Sequence, residues 1–269
     1  MSYDLSQLQT ERVFLAPRIV LLGTHKIGKS TFATSAPNPI VIPIKGEEGV
    51  DDLIGNGVQA TPTCESIGEV IQWLYALYSG DHDRQTVVID STSALQPLLW
   101  DETIRRWNAG KEEKQKEAIS VETIGGGYGK GFNEALVEWR LLTEALDALR
   151  RDRNMTSILI GHVIVKQVTD PMLGVFDAFE WDIDRRAANM LYRWSDCILF
   201  AKSKAAVKKE DKGFGTDAKR AVDLGGGARY LFTQDRPSHP GGGRGVYGRI
   251  PYELPLNWDA FMSAVAAVA

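Results

Sequence analysis

The segment from Gly23 to Ser30 reads GTHKIGKS, with lysine and serine directly after the second of its two glycines. Glycines at 23 and 28 let the backbone approach a bound group closely, and the N–H groups of such a loop can form a cradle for anions. Lys29 supplies a positive charge, and Ser30 supplies a hydroxyl oxygen that suits Mg²⁺. The spacing GxxxxGK[ST] therefore predicts a site for the phosphates of a nucleotide bound with Mg²⁺.

The roles within this segment follow from its chemistry. Lys29 is predicted to reach the β- and γ-phosphates of ATP and to act in catalysis, and Ser30 is predicted to bind Mg²⁺. The apolar run Arg18–Leu22 supplies the strand that such a loop follows. The residues predicted to contact the nucleotide are Gly23, Thr24, His25, Lys26, Ile27, Gly28, Lys29, Ser30 and Thr31.

An acid at the tip of a second buried strand would complete the magnesium site. The sequence TVVIDSTSAL places Asp90 after four residues that favour a strand. We therefore predict that Asp90 contacts the bound Mg-nucleotide and holds the metal together with Ser30.

The residue that activates water has to come from elsewhere, because a serine, and not a glutamate, follows Asp90. The run PIVIPIKGEEGVDDL contains a strand that ends near Glu47 and Glu48, and its carboxyl end should face the same crevice. Neighbouring side chains on an extended segment point to opposite sides, so only one of the two should face the nucleotide. Glu47 is the favoured catalytic carboxylate, and Glu48 is the alternative.

A histidine follows a further strand, SILIGH. His162 should lie at the same edge of the sheet, where its imidazole could contact the γ-phosphate and transmit its presence to the following segment. The alternative is a hydrogen-bonded histidine with a structural role.

Placing these residues together requires a sheet whose strands end at one edge. Short β-rich apolar runs alternate with helical patterns, which favours a parallel sheet with crossover helices. Apolar residues at helical spacing predict helices within 65–79 and 135–149. The predicted strands are Arg18–Leu22, Ile40–Ile44, Thr86–Asp90, Ser157–Gly161 and Cys197–Phe200.

Three segments interrupt the alternation. VETIGGGYGKGF, at 121–132, is typical of a functional loop. AKSKAAVKKEDKGFGTDAKR, at 201–220, predicts a solvated hairpin or loop. The stretch 225–255 is rich in glycine and proline and predicts an irregular appendage. We expect an N-terminal arm at 1–17, a core at 18–236 and a C-terminal appendage at 237–269 that packs on the core.

The composition excludes several classes of protein. The 269 residues carry a net charge of −4, so binding of nucleic acid would need a local basic patch. The two cysteines, Cys64 and Cys197, form no CxxC spacing, which gives no support for a disulfide scaffold or a zinc site. No apolar run reaches the roughly 18 residues of a membrane span, and the N-terminus has no apolar leader core. We expect a cytoplasmic protein with no membrane partner.

The motifs GTHKIGKST and VVIDSTSAL, the Glu47 strand tip and the polar His162 resemble the RecA-like branch of P-loop ATPases, although RecA has glutamine where this chain has His162. The chain is more closely similar to phage-encoded ATP-binding proteins of the Sak type, on GGGYGKGF, YRWSDCILF and YLFTQDRP…YGRIPYELPLNWDAF. The resemblance covers the chain from about residue 17. It implies an α/β, three-layer P-loop NTPase fold with a mostly parallel RecA-like sheet flanked by helices.

The same resemblance implies hydrolysis of ATP with Mg²⁺, coupled to single-stranded DNA in phage recombination, annealing or replication, within the host cytoplasm. It also implies a homo-oligomer, either a ring or a filament, in which the loops at 119–132 and 163–184 line the DNA path. The second loop carries five acidic residues, which argues against strong DNA binding by a single chain. The cations and rings that single strands could contact are Tyr128, Lys130, Phe132, Lys166, Phe176, Phe179 and Trp181.

Other functions share a phosphate loop. A small-molecule kinase would need an acceptor pocket and an arginine-rich lid, which RPSHPGGGRGVYGR could imitate, and an assembly protein would bind nucleotide with little turnover. The serine after Asp90 and the separate Glu47 favour the ATPase. Because no arginine finger of the same chain is evident near the nucleotide motifs, we expect a neighbouring subunit to complete each site. Candidate donors are Lys202, Lys204, Arg244 and Arg249.

Overall fold

The computed structural model describes residues 15–47, 49–55, 57–109, 111, 118–210, 218–223 and 227–269, with only the backbone described at 51, 205–210 and 218–223. The strands are β1 Arg18–Gly23, β2 Pro39–Pro43, β3 Gln59–Ala60, β4 Thr86–Asp90, β5 Thr156–Asp170, β6 Gly174–Trp181, β7 Cys197–Ser203, β8 Ala205–Glu210, β9 Ala218–Asp223, β10 Arg229–Phe232, β11 Gly242–Gly243 and β12 Glu253–Pro255. The helices are α1 Lys29–Thr34, α2 Asp51–Ile54, α3 Ile67–Ser79, α4 Thr92–Asn108, α5 Lys130–Glu134, α6 Leu136–Arg153, α7 Arg185–Trp194 and α8 Trp258–Ala266.

A mostly parallel sheet forms the centre of the molecule. Strands β7, β1, β5, β4, β2 and β3 are neighbours in that order and run parallel. Beyond β7 the sheet continues with β10 and then β12, both antiparallel to their neighbours, and β6 folds back on β5. The predicted α/β fold with a mostly parallel sheet flanked by helices is confirmed.

The two faces of the sheet bury two separate apolar clusters. Successive side chains of a strand point to opposite faces, and strands covered on both faces are largely apolar, as β1 is after Arg18. On one face Val20 and Leu22 pack with residues of α3, α4, α6 and α7. On the other face Ile19 and Leu21 pack with residues of α1 and α8. The sheet is therefore the middle layer of three.

The strand register brings the predicted site residues to one edge. Gly23 at the end of β1 is paired with His162 in β5 and with Ala201 in β7, and Pro43 at the end of β2 is paired with Asp90 at the end of β4. Because these strands are parallel, their carboxyl ends meet at the same edge, where ligands bind in open α/β sheets.

Two segments differ from the sequence-based expectation. The segment 163–184, expected to be a loop, is mostly a β-hairpin, because β5 continues to Asp170 and returns as β6. The Asp170 carboxylate closes the turn by accepting hydrogen bonds from the backbone N–H groups of Met172 and Leu173. The glycine-rich stretch 225–255 contains strands β10 and β12, in which the buried Leu231 and Leu254 are paired.

The mixed-charge segment at 201–220 contains strand β8 and part of β9, which pair as a hairpin, as predicted. Most of the predicted N-terminal arm lies outside the described residues. Within the described ranges, no helix combines the length and apolar character needed to cross a bilayer.

Candidate nucleotide-binding site

The phosphate loop connects β1 to α1. A Cβ atom at Gly23 would lie 2.5 Å from the carbonyl oxygen of Ala201 in the adjacent strand, so a side chain does not fit there. Gly28 has a φ of 103°, a left-handed conformation that glycine adopts without steric cost. The two glycines of the motif are therefore required by the local backbone.

A cleft of about 520 Å³ opens beside this loop. It gathers residues from the phosphate loop, from the segment after β2, from the end of β4 and from β5. Among the residues predicted for the site, Gly23 and Thr24 are not lining residues but offer their carbonyl oxygens to Lys29, and Ile27 packs against the core. The predicted residues that line the cleft are His25, Lys26, Gly28, Lys29, Ser30, Thr31, Glu47, Asp90 and His162.

Lys29 is buried, with 5% of its surface exposed. Its Nζ donates hydrogen bonds to the carbonyl oxygens of Gly23 (3.0 Å) and Thr24 (2.9 Å) and to Nδ1 of His162 (3.3 Å). Burial lowers the pKa of Lys29 to about 8, although the negative charges of Asp90 and Glu47 oppose the shift. The ammonium is therefore charged at neutral pH and held among acceptors at the base of the loop.

Ser30 and Asp90 form a pair of oxygen ligands. The Ser30 hydroxyl donates to Oδ2 of Asp90 at 2.6 Å, and the carboxylate is 4% exposed. Burial raises the pKa of Asp90, and the hydrogen bond from Ser30 opposes that shift. A hydroxyl and a buried carboxylate in contact are hard oxygen donors, which fit Mg²⁺.

The described residues contain no cluster of three or more His, Cys, Asp or Glu side chains that could hold a metal ion. A Mg²⁺ ion on Ser30 and Asp90 would take its remaining ligands from phosphates and water, as Mg²⁺ in nucleotide sites does.

Glu47 lies across the cleft, where two donors bind the same carboxylate oxygen. His162 Nε2 is 2.8 Å from Oε1 of Glu47, and the Ser91 hydroxyl also donates to Oε1. Since the Lys29 ammonium can only donate, Nδ1 of His162 is the acceptor and Nε2 carries the proton. Burial acts to raise the pKa of Glu47, but the hydrogen bonds from His162 and Ser91 outweigh it, so the pKa is lowered.

His25 of the phosphate loop stacks on His162, with ring centroids 4.2 Å apart and an angle of 20° between the planes. Repulsion between the charged forms of the two imidazoles lowers the pKa of His25, and its slight burial and the nearby Lys29 act in the same direction. The stack joins the phosphate loop to β5 beside Glu47. The sequence predicted that His25 lies in the loop but contained no signal for this contact.

With this geometry established, the sequence comparison identifies the family. The family model described as the AAA domain matches residues 15–245. The chain belongs to the AAA domain family. No curated protein matches the chain significantly. Among solved structures, the RadB recombinase crystal structure is similar, with 15% identity, 81% of each chain covered and a TM-score of 0.41.

Membership of the AAA domain family indicates a P-loop ATPase, with nucleotide binding and hydrolysis as its activity. The residues that form the cleft, from His25 to His162, all lie within the matched range.

In this AAA domain, sequence reasoning missed one cation at the cleft. No arginine finger of the same chain was evident near the nucleotide motifs in the sequence, and the structure places Arg229 in the lining of the cleft, beside Gly28. Arg229 is the first residue of β10, about two hundred positions away in a stretch expected to be irregular, so no local pattern pointed to it. The lining also includes Gly46, Gly49, Asp52 and Leu53.

The remaining candidates have different positions. Glu48 lies outside the described residues, so its alternative role stays a prediction. The donors expected from a neighbouring subunit do not line the cleft of their own chain: Lys202 lies 4.4 Å from the centroid of the Phe179 ring, and Lys204 forms an ion pair with Glu253. Arg244 and Arg249 are exposed beyond β11.

The first segment expected to line a DNA path, 119–132, contacts the start of α7, which follows the second segment, 163–184. Arg186, at the start of α7, lies 5.5 Å from the centroid of the Phe132 ring, and a Cβ atom at Gly129 would lie 2.7 Å from its Nη2. Tyr128, at the tip of the glycine-rich loop, is fully exposed. Lys130 binds the carbonyl oxygen of Gly125 within the same loop.

The aromatic residues of β6 are less available than expected. Trp181 is buried, and its Nε1 donates to the hydroxyl of Thr92, so the ring is not available to stack on a nucleic acid base. Phe179 packs against Phe200 in the core. Lys166 pairs with Glu180 across the hairpin.

Proposed function

We propose that this protein is a Mg²⁺-dependent ATPase that acts on single-stranded DNA. The observation that carries the proposal is the convergence in one cleft of the buried ammonium of Lys29, the Ser30–Asp90 oxygen pair and the Glu47 carboxylate. These are the three groups that nucleotide hydrolysis needs: a cation for the phosphates, ligands for the metal and a carboxylate for water.

Lys29 acts on the phosphates as a charged donor. Its three hydrogen-bond partners are two backbone carbonyl oxygens and one imidazole nitrogen, all neutral. Phosphate oxygens carry negative charge and form stronger hydrogen bonds with an ammonium than neutral acceptors do. Bound phosphates therefore compete with these three acceptors for the hydrogen bonds that Lys29 donates. When Lys29 donates to a phosphate instead, Nδ1 of His162 loses its present donor.

Glu47 is arranged to receive a water molecule. Both hydrogen bonds to its side chain reach Oε1, and none of the described residues forms a hydrogen bond with Oε2. The lowered pKa keeps the carboxylate ionised at neutral pH. Oε2 of Glu47 therefore acts as the acceptor that orients the attacking water and takes its proton. Mg²⁺ on Ser30 and Asp90 would neutralise charge on the phosphates.

His162 links the nucleotide site to the proposed DNA surface. It contacts Lys29 and Glu47 on one side and continues into the β5–β6 hairpin on the other. The hairpin leads into α7, where Arg186 contacts the loop that carries the exposed Tyr128. An exposed ring beside arginine and lysine side chains is the kind of surface that binds single strands.

The full proposal is a homo-oligomeric ring or filament that serves phage recombination, annealing or replication in the host cytoplasm, as proteins of the Sak type do. In sequence, an N-terminal arm at 1–17 precedes a catalytic core at 18–236, and an appendage at 237–269 packs on the core. The contact of α8 with α1 through Trp258 and Phe32 supports this packing.

The test is an ATPase assay of the full chain with Mg²⁺, with and without single-stranded DNA, alongside light scattering. We expect DNA to accelerate phosphate release and the active species to be an oligomer. Transfer of phosphate to a small acceptor would instead identify a kinase, and binding without turnover would identify an assembly protein. A monomer with full activity in the presence of DNA would contradict the oligomer.

A further inference from the structure

Arg229 has a fixed backbone at the edge of the sheet where the phosphate loop lies. Strand β10 is antiparallel to β7, and Arg229 is paired with Ser203 at the carboxyl end of that strand. On its other side, the carbonyl oxygen of Arg229 accepts the N–H of Leu256, which follows β12. The position of Arg229 is therefore set by sheet pairing on both sides.

The side chain of Arg229 extends over the phosphate loop. A Cβ atom at Gly28 would lie 2.9 Å from Nη1 of Arg229 and 3.9 Å from its Cδ. The same side chain lines both the main cleft and an adjoining cavity of about 130 Å³, which also contains Thr31, Ser35 and Asn257. The guanidinium thus lies where the two cavities meet.

Arg229 forms no ion pair with any carboxylate in the described part of the chain. By contrast, Lys204, which directly follows β7, forms an ion pair with Glu253 at 2.6 Å. A guanidinium beside a phosphate loop and without an acidic partner is suited to bind an anion, since arginine recognises phosphate by two parallel hydrogen bonds.

The position along the cleft indicates which phosphates Arg229 can reach. Glu47, His162 and Asp90 mark the end where the γ-phosphate is cleaved in the proposed reaction. Arg229 contacts the opposite side of the loop, near Gly28 and Thr31. In loops of this type the backbone N–H groups hold the α- and β-phosphates, while lysine reaches the β- and γ-phosphates.

We propose that Arg229 binds the α- and β-phosphates of the nucleotide, as a cation supplied by the same chain. The inference rests on the proposed function and adds a binding residue to its site. Because ADP and ATP share these phosphates, Arg229 contributes equally to the affinity for both. Such uniform binding lowers Kd and KM without changing kcat.

The test compares Arg229→Ala and Arg229→Lys with wild type by titration with ADP and with ATP in the presence of Mg²⁺. We expect Arg229→Ala to weaken both affinities by a similar factor of about tenfold or more, the size expected for loss of a charged hydrogen bond. Arg229→Lys keeps the charge but loses the paired donors, so an intermediate loss is expected. At saturating ATP, kcat should equal that of wild type.

The matched control is Arg151→Ala, because Arg151 is an exposed arginine on α6, close to the amino end of β5 and so at the opposite edge of the sheet. It should leave both affinities unchanged. The melting temperature without nucleotide should be the same for all variants, which separates lost binding from lost folding.

Unchanged affinities in Arg229→Ala, a loss confined to ATP, or a fall in kcat at saturation would each overturn the assignment. A wild-type protein that binds nucleotide but does not hydrolyse it would refute the proposed ATPase, and the affinities of the Arg229 variants would still decide this inference. Failure of the wild type to bind either nucleotide would refute both.

Discussion

His162 donates a hydrogen bond from Nε2 to Oε1 of Glu47 at 2.8 Å, while its Nδ1 accepts one from Lys29. The imidazole therefore joins the phosphate-binding cation to the carboxylate proposed to activate water. One residue is hydrogen-bonded to both halves of the site. A change at any of the three side chains should consequently alter nucleotide binding and hydrolysis in different proportions.

Replacing Glu47 should separate hydrolysis from binding. A carboxylate that orients or deprotonates water acts mainly in the transition state, so Glu47→Gln should lower kcat by about 10²–10⁴-fold and leave ATP affinity nearly unchanged. The ATP-bound state should then accumulate and bind single-stranded DNA at least as tightly as wild type. Single-turnover hydrolysis, measured with ATP and DNA affinities, checks this.

The control is Glu48→Gln in the same assays, because the two neighbouring acids are the two candidates. Normal hydrolysis in Glu47→Gln would refute the assignment. A selective loss of hydrolysis in Glu48→Gln would transfer the role to that residue.

Nucleotide affinity should fall at alkaline pH because of Lys29. Burial lowers the pKa of this ammonium to about 8 in the protein, so the charged form is dominant below that pH and is lost above it. Phosphates bind the charged form, and affinity for ATP should therefore decline above about pH 8, approaching tenfold per pH unit. Titrations between pH 7 and 9.5 measure the slope.

Lys29→Arg is the matched control for this pH dependence, because its guanidinium stays charged across the range. Its affinity should not show the decline. An affinity of the wild type that stays constant between pH 7 and 9.5 would show that the charge of Lys29 does not control binding. Lys29→Ala should lose hydrolysis and bind Mg-ATP weakly at every pH.

Asp90 should determine how much magnesium the reaction needs. Asp90→Asn removes the charged oxygen beside Ser30, so we expect hydrolysis to require a higher Mg²⁺ concentration, or to be lost. Burial raises the pKa of Asp90, so at neutral pH its ionised form lowers the free energy of unfolding. Asparagine carries no charge, and the Asp90→Asn variant without ligand should therefore melt no lower than wild type.

A magnesium titration of ATPase activity, with the melting temperature measured in parallel, checks the Asp90 variant. Asp101→Asn, at an exposed position on α4, is the control and should match wild type. Full activity of Asp90→Asn over the whole titration would assign Asp90 a structural role.

The sequence allowed the fold and most of the cleft to be predicted because their signals are local. A strand is recognisable from its own residues, and in a parallel sheet the carboxyl ends meet at one edge, so Glu47, Asp90 and His162 could be placed together before any contact was known. The β5–β6 hairpin was missed because its polar residues resemble those of a loop. The sequence left both packing and nucleic acid contact open for Trp181, because the hydrogen bond that holds it joins positions 89 apart.

Arg229 illustrates a different limit. Its place at the phosphate loop depends on the pairing of β10 with β7 and of β7 with β1. Together these pairings bring Arg229 to Gly28, about 200 positions away in the chain. No spacing within one segment encodes such a contact. Similarly, the stack of His25 on His162 depends on the conformation of the phosphate loop. The sequence motif fixes where the glycines of the loop lie, but not the direction in which the side chains of the loop point.

His162 should couple DNA binding to hydrolysis, and the choice of substitution can show this. Glutamine has both a donor and an acceptor, so His162→Gln can still donate to Glu47 and accept from Lys29, whereas His162→Ala can do neither. We expect His162→Ala to lower basal ATPase activity and to abolish most of its stimulation by single-stranded DNA, and His162→Gln to retain much of both. His82→Ala is the control, because His82 binds the carbonyl oxygen of Leu77 away from the cleft. If DNA still stimulates His162→Ala by the same factor as wild type, the hairpin receives no signal through this residue. An equal loss in both His162 variants would show that the imidazole itself is required, and not only its two hydrogen bonds.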